Sequence, residues 1–124
     1  AKAKYKDTVI EEILPVNLLS YDDRSEVPEG AELEALLHDH PILEGISSKL
    51  PFVLGYNRTI IKPGADVIVC HGKNPLIASW DYGKGRTMAY TTDCAPHWAP
   101  PEMYEWEYYA KLWGNIIHWL AGDE

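Results

Sequence analysis

Three turns in quick succession occupy the middle of the chain, and they leave few folds open. Lys62-Pro63-Gly64 places Pro at the second turn position and Gly at the third, the type II pattern. His71-Gly72-Lys73-Asn74 and the glycine-bracketed Gly83-Lys84-Gly85 follow. The segments between and after them, 65–70, 75–82 and 86–92, are rich in β-branched and aromatic residues and read as strands. Connections this short join antiparallel neighbours, so the three strands are predicted to form a meander.

The rest of the chain is less regular. Residues 8–14 have a short apolar rhythm that predicts one or two helical turns, capped by Asp7 or Thr8 with Glu11 available for a capping box, and ended by Pro15. Residues 16–19 read as a short strand. Residues 21–30 are acidic, contain Pro28 and Gly30, and read as an exposed loop that includes Asp22, Asp23 and Arg24. Residues 31–37 alternate in the manner of a strand despite helical propensity. His38-Asp39-His40-Pro41 is a turn, and residues 50–61 give extended segments interrupted by Pro51 and Gly55.

At the C-terminal end, Pro101 suits a first helical turn, and Glu102, Glu105 and Glu107 suit the positive end of a helix dipole. Trp106, Tyr109, Trp113, Ile116, Ile117 and Leu120 recur at helical spacing, and Gly122 supplies the stop. One long amphipathic helix is therefore predicted from Pro101 onward.

Between the meander and that helix lies the stretch richest in chemistry. Asp93, Cys94 and His97 fall within five positions, with Pro96 between them and Trp98 behind. In open α/β sheets, polar residues at the carboxyl end of a strand are where sites form. Cys94 would become nucleophilic if His97 or a helix N-terminus lowered its pKa. The bland alternative is a small packed thiol, with His97 bonded to Asp93 or the backbone. Tyr56-Asn57-Arg58 combines aromatic, amide and guanidinium groups, which suits a polar ligand or an interface, with core packing plus a surface arginine as the default. No metal site is expected: Cys70 and His71 are adjacent on a strand and point to opposite faces, so they do not complete a set with Cys94 and His97.

Composition excludes some partners. The formal charge is −8 and no basic stripe is visible, which argues against nucleic acid and anionic membranes. No apolar run approaches the ~20 residues of a membrane span. The opening residues lack the apolar core of a secretory signal, and Cys70 and Cys94 are expected as reduced thiols in the cytoplasm. The chain begins at Ala1 in a lysine-rich stretch, as a processed product or a fragment would. Trp106, Tyr109 and Trp113 are expected in the core first, but five tryptophans in so short a chain is unusual, and if the chain is part of a longer domain some would cover surface supplied by the rest.

Seven segments occur in an order that carries a resemblance: His40-Pro41-Ile42-Leu43-Glu44-Gly45-Ile46, Gly55-Tyr56-Asn57, Lys62-Pro63-Gly64-Ala65, Asn74-Pro75-Leu76, Trp80-Asp81-Tyr82-Gly83-Lys84-Gly85-Arg86, Thr92-Asp93-Cys94-Ala95-Pro96-His97-Trp98, and the closing stretch from Leu112-Trp113 to Trp119-Leu120. The chain resembles a glutamine amidotransferase-like family of bacterial cytoplasmic proteins over nearly its whole length. The resemblance implies an α/β fold, the C-terminal half of a flavodoxin-like, class I glutamine-amidotransferase-like domain. An N-terminal half, on the same or a separate polypeptide, would carry the parallel strands and the elbow where amidotransferases hold their nucleophile.

The resemblance also puts His97 where the catalytic histidine would stand. The glutamate expected two positions later is Ala99 here, and the next glutamate is Glu102. The implied chemistry is hydrolysis or acyl transfer, with His97 as general base, Asp93 orienting it, and Cys94 lining the pocket or attacking. No cofactor is implied. The alternative is a non-catalytic module, forming an oligomer or binding a small polar ligand through Tyr56, Asn57, Arg58 and Trp98.

Overall fold

A computed structural model describes residues 4–122; the start of the lysine-rich opening, residues 1–3, and the last two positions lie outside the described residues. The elements in chain order are α1 (Val9–Ile13), β1 (Val16–Leu18), β2 (Arg24–Ala31), β3 (Glu34–Ala35), a 3-10 turn (Pro41–Leu43), β4 (Val53–Asn57), β5 (Thr59–Ile61), β6 (Asp66–His71), β7 (Asn74–Tyr82), β8 (Gly85–Tyr90), α2 (Pro101–Tyr104) and α3 (Tyr109–Leu120).

The turns do what their residues dictate. Gly72 and Gly83 adopt positive φ, at +59° and +58°, so β6, β7 and β8 fold back on one another with almost no connecting chain, while Gly64, at +86°, turns the chain from β5 into β6. With β3 on the far side of β6 they form a four-stranded sheet, ordered β3-β6-β7-β8. Every strand pairing among the described residues is antiparallel. The central strand β7 is buried from Pro75 to Ser79, which explains its run of apolar residues without polar alternation.

Three expectations need correction. The acidic segment 21–30 is not simply a loop: Arg24–Ala31 forms β2, paired with β4 through Arg24↔Asn57, Ser25↔Tyr56, Glu26↔Gly55 and Ala31↔Val53. The register slips between Glu26 and Ala31, and Pro28 sits in that irregular stretch, where a missing N–H costs no ladder bond. The strand expected over 31–37 shrinks to Glu34–Ala35, with Leu36 and Leu37 largely exposed beyond it. Third, the C-terminal helix is broken. α2 ends at Tyr104, and α3 starts at Tyr109 after Glu105 and Tyr108 take near-zero ψ. The break lets the Trp106 indole donate to Ser48 Oγ at 3.0 Å and brings the Tyr108 hydroxyl to 2.8 Å from Ser47 Oγ.

α3 buries Leu112, Ile116 and Trp119, one face at helical spacing, whereas Ile117 faces out at 61% exposure. That face packs on the Pro41–Leu43 turn and on β8, and Asn115 Nδ2 donates to the carbonyls of Ile42 and Glu44 at 3.0 and 2.9 Å. The core between helix and sheet includes Ile42, Val53, Ile68, Leu76, Ile77 and Met103. At the other end Glu11 works in place of a side-chain cap from Thr8. Its carboxylate accepts from the backbone of Asp7 (2.8 Å) and Leu18 (2.7 Å), and these bonds hold its pKa below the usual carboxylate value.

Candidate functional site

The segment after β8 is stitched into the sheet at both ends. Thr91 N–H donates to Leu76 O at 3.0 Å, its carbonyl accepts from Asn57 N–H at 2.7 Å, and Thr92 Oγ1 donates to Gly55 O at 2.6 Å. After the loop the chain returns, and Trp98 O accepts from Leu54 N–H at 2.8 Å. Residues 93–97 are thus a short bracket projecting from the β4–β8 junction, carrying Asp93, Cys94 and His97 on one excursion.

Within the bracket, His97 Nδ1 lies 2.7 Å from Asp93 Oδ2, and the same oxygen accepts from Trp98 N–H at 3.2 Å. A carboxylate facing Nδ1 selects the tautomer whose proton is on Nδ1, which leaves the Nε2 lone pair as the available base. The His97 side chain is 65% exposed, and its ring stacks on Trp98 with centroids 5.1 Å apart. His97 also has φ of +131°, a conformation that side-chain-bearing residues rarely adopt and that surroundings must enforce. The resemblance marks Ala99 as the place for the orienting carboxylate, yet Ala99 is buried and Asp93, four positions before the histidine, supplies the acceptor.

Trp98 is the fixed part of the loop. It is 5% exposed and lies across Gly55, where an added Cβ would fall 2.6 Å from Trp98 Cε2. Its indole N–H donates to Glu26 Oε1 at 3.0 Å. Glu26 could not be picked out from the sequence, because nothing in an acidic, proline-containing segment signals a strand. Cys94 is an exposed free thiol, and its carbonyl accepts from the Tyr109 hydroxyl at 2.5 Å. Tyr90 packs edge-on against Trp113, centroids 4.8 Å apart, and burial raises the pKa of its phenol, with Tyr109, Cys94 and Asp93 adding to the effect.

The other candidates are placed differently. Tyr56 is 2% exposed, in the core, with its hydroxyl accepting from Asn74 Nδ2 at 2.9 Å. Asn57 donates from Nδ2 to Asp23 Oδ1 at 3.0 Å, and Arg58 donates to the carbonyls of Asp22 and Asp23 at 2.9 and 2.7 Å. These contacts pin the 22–23 turn to the end of β4. Cys70 is a buried free thiol, its pKa raised by desolvation and then by Glu34. Among the described residues no three His, Cys, Asp or Glu side chains converge to hold a metal ion. Two shallow depressions lie around Glu34 and Lys49 and around Leu36 and His40, and neither is lined by a residue of the 93–98 loop.

Comparison with known proteins completes the site's context. Residues 1–122 match the family described as "Putative glutamine amidotransferase". The chain is 40% identical to the cytoplasmic protein STM3548 of Salmonella typhimurium and superposes on it with a TM-score of 0.91; the match covers 97% of this chain and 48% of that one. For the cytoplasmic protein STM1381 of Salmonella typhimurium LT2 the values are 38% identity, a TM-score of 0.89, and 95% and 48% coverage. This chain therefore spans about half the length of these solved relatives. No curated protein matches it. No helix among the described residues is long and apolar enough to cross a membrane. With the match running over nearly every residue, the chain belongs to the glutamine amidotransferase-like family.

Proposed function

We propose that the 93–98 loop is the base-bearing half of a hydrolytic or acyl-transfer site, completed by a nucleophile from a complementary half of the domain on the same or a separate polypeptide. The observation that carries this reading is the 2.7 Å Asp93–His97 pair on an exposed ring. His97 Nε2 would take the proton from an attacking cysteine or serine as it adds to an amide or ester carbonyl. Asp93 would stabilise the imidazolium, which then delivers that proton to the departing amine or alcohol. Water would release the acyl group by the same route in reverse. Cys94, an exposed thiol on the same loop, would line this space, and would itself be the attacking thiol where the complementary half brings no nucleophile. The relatives' doubled length supports a complementary half, and the setting is cytoplasmic, as for both of them.

A second reading draws on the partners of His97 among the described residues, which are Asp93 and Trp98. On that reading the loop belongs to a non-catalytic module that binds a small polar ligand or forms an oligomer. One experiment separates the two. The complete protein, complementary half included, is treated with an electrophilic glutamine analogue and with a fluorophosphonate, and adducts are mapped by peptide mass spectrometry. Catalysis predicts one dominant labelled nucleophile whose labelling slows about 100-fold or more in His97→Ala, the scale of general-base assistance. Labelling that ignores His97→Ala and Asp93→Asn would remove the acyl-transfer reading and leave the binding module.

A further inference from the structure

We infer that Glu26 is a positioning residue for His97, acting through the indole of Trp98. The inference rests on the proposed role of the 93–98 loop, and it concerns a strand 72 positions of sequence away from Trp98. Glu26 is exposed on β2, where a carboxylate would ordinarily point into water. Instead its Oε1 accepts the Trp98 indole N–H at 3.0 Å. Glu26 is also the cross-strand partner of Gly55, the residue whose missing side chain makes room for the indole. One β2–β4 pair thus supplies both the anchor and the space for Trp98.

Trp98 in turn holds His97 in two ways. Its ring face stacks on the imidazole at 5.1 Å and 29°, and its backbone N–H shares Asp93 Oδ2 with His97 Nδ1. A rotation of the indole therefore removes the surface under the imidazole, while the backbone bond keeps Asp93 in place. The chain of contacts Glu26–Trp98–His97 gives the strained His97 backbone a support outside its own loop. A side chain that merely kept the surface soluble would be replaceable by any small polar group. A positioning residue requires a hydrogen-bond acceptor at that point.

The test uses the complete protein with 13C-labelled histidine, and the His97 Cε1–H resonance is identified by its loss in His97→Ala. Stacking on Trp98 should shift that resonance upfield through the indole ring current. Glu26→Gln keeps an amide oxygen as acceptor and should leave the resonance in place. Glu26→Ala should move it towards the position of a free imidazole. Glu26→Leu, which keeps side-chain bulk at that point but lacks an acceptor and leaves the indole in place, should also move it, and it reads the same contact if Glu26→Ala does not fold. A His97 resonance unmoved in whichever of these two variants folds overturns the inference, as does a Glu26→Gln shift as large as that of Glu26→Ala. The two readings fail separately. A moved resonance with labelling indifferent to His97 keeps the positioning role and removes acyl transfer. A fixed resonance with labelling dependent on His97 does the opposite.

Discussion

Replacing Gly55 with alanine should unseat Trp98, and the size of the effect follows from the geometry. An ideal Cβ on Gly55 would stand 2.6 Å from Trp98 Cε2 and 2.7 Å from Cδ1, closer than real Cβ contacts come. Gly55 does not have a positive φ, so backbone strain does not enter. The indole has little freedom to retreat, being 5% exposed and tied at its nitrogen to Glu26. Overpacking of this kind costs about 1–3 kcal/mol. Loss of the charge-assisted indole bond adds about 1.5 kcal/mol, the low end of its range because Glu26 is exposed. Relief of glycine's entropy cost within a strand offsets about 0.5–1 kcal/mol. The net destabilisation is about 1.5–4 kcal/mol, or a fall in Tm of roughly 3–16 °C in a protein of the relatives' size. Gly114, inside α3 with no atom within 4 Å of where an added Cβ would stand, is the control. There alanine should stabilise by about 0.8–1 kcal/mol. Thermal melts with tryptophan emission as the probe decide the matter. A Gly55→Ala protein that melts and fluoresces like the wild type would refute the close-packing argument.

Three further outcomes are expected. His97→Ala keeps the +131° φ while losing the Asp93 bond, whereas His97→Gly loses the bond but relaxes the backbone; the glycine variant should be the more stable by about 1 kcal/mol, and the reverse order would show that the conformation is unstrained. His40 accepts the Ile42 N–H at Nδ1 (3.1 Å), and its pKa is lowered from 6.5 by burial, with Asp66 opposing and Arg86 adding to the shift. Because the unfolded chain binds this proton more readily, the stability it contributes is present above pH 6.5 and is lost as pH falls through the lowered value. His40→Asn, which keeps an acceptor but does not titrate, should flatten the difference between urea midpoints measured near about pH 7.5 and about pH 5.5; an unchanged difference would reject His40 as its source. Alkylation at neutral pH should modify exposed Cys94 well before buried Cys70, whose thiol pKa is raised, and peptide mapping that finds Cys70 first would contradict the placement of the two thiols.

Much of the sheet could be read from residues in order, because its information is local. Gly72 and Gly83 each force a reversal within a few bonds, so the pairing of β6, β7 and β8 follows from turn chemistry and strand composition. The same holds in part for the apolar face of α3, whose spacing predicts Ile116 but misses buried Leu112 and Trp119 and includes exposed Ile117, and for the spacing that brings Asp93 within reach of His97. Where long-range contacts choose the conformation, local patterns misled. β2 is a strand because β4 pairs with it, despite Glu26, Pro28, Glu29 and Gly30, which locally favour a loop. The predicted single helix breaks at residues 105–108, where Trp106 and Tyr108 meet Ser48 and Ser47, some sixty positions away, contacts that no local pattern contains.

Tyr56 shows the same division on one residue: its type suits a ligand surface, and its position on β4 puts it in the core at 2% exposure. So does Glu26, an ordinary carboxylate in the sequence that reaches the loop through a cross-strand neighbour without a side chain. Residue types and spacing thus named the loop and its Asp93–His97 pair. Folding assigned the supports, since only packing brings Glu26, Gly55 and Trp98 from three distant segments to one place.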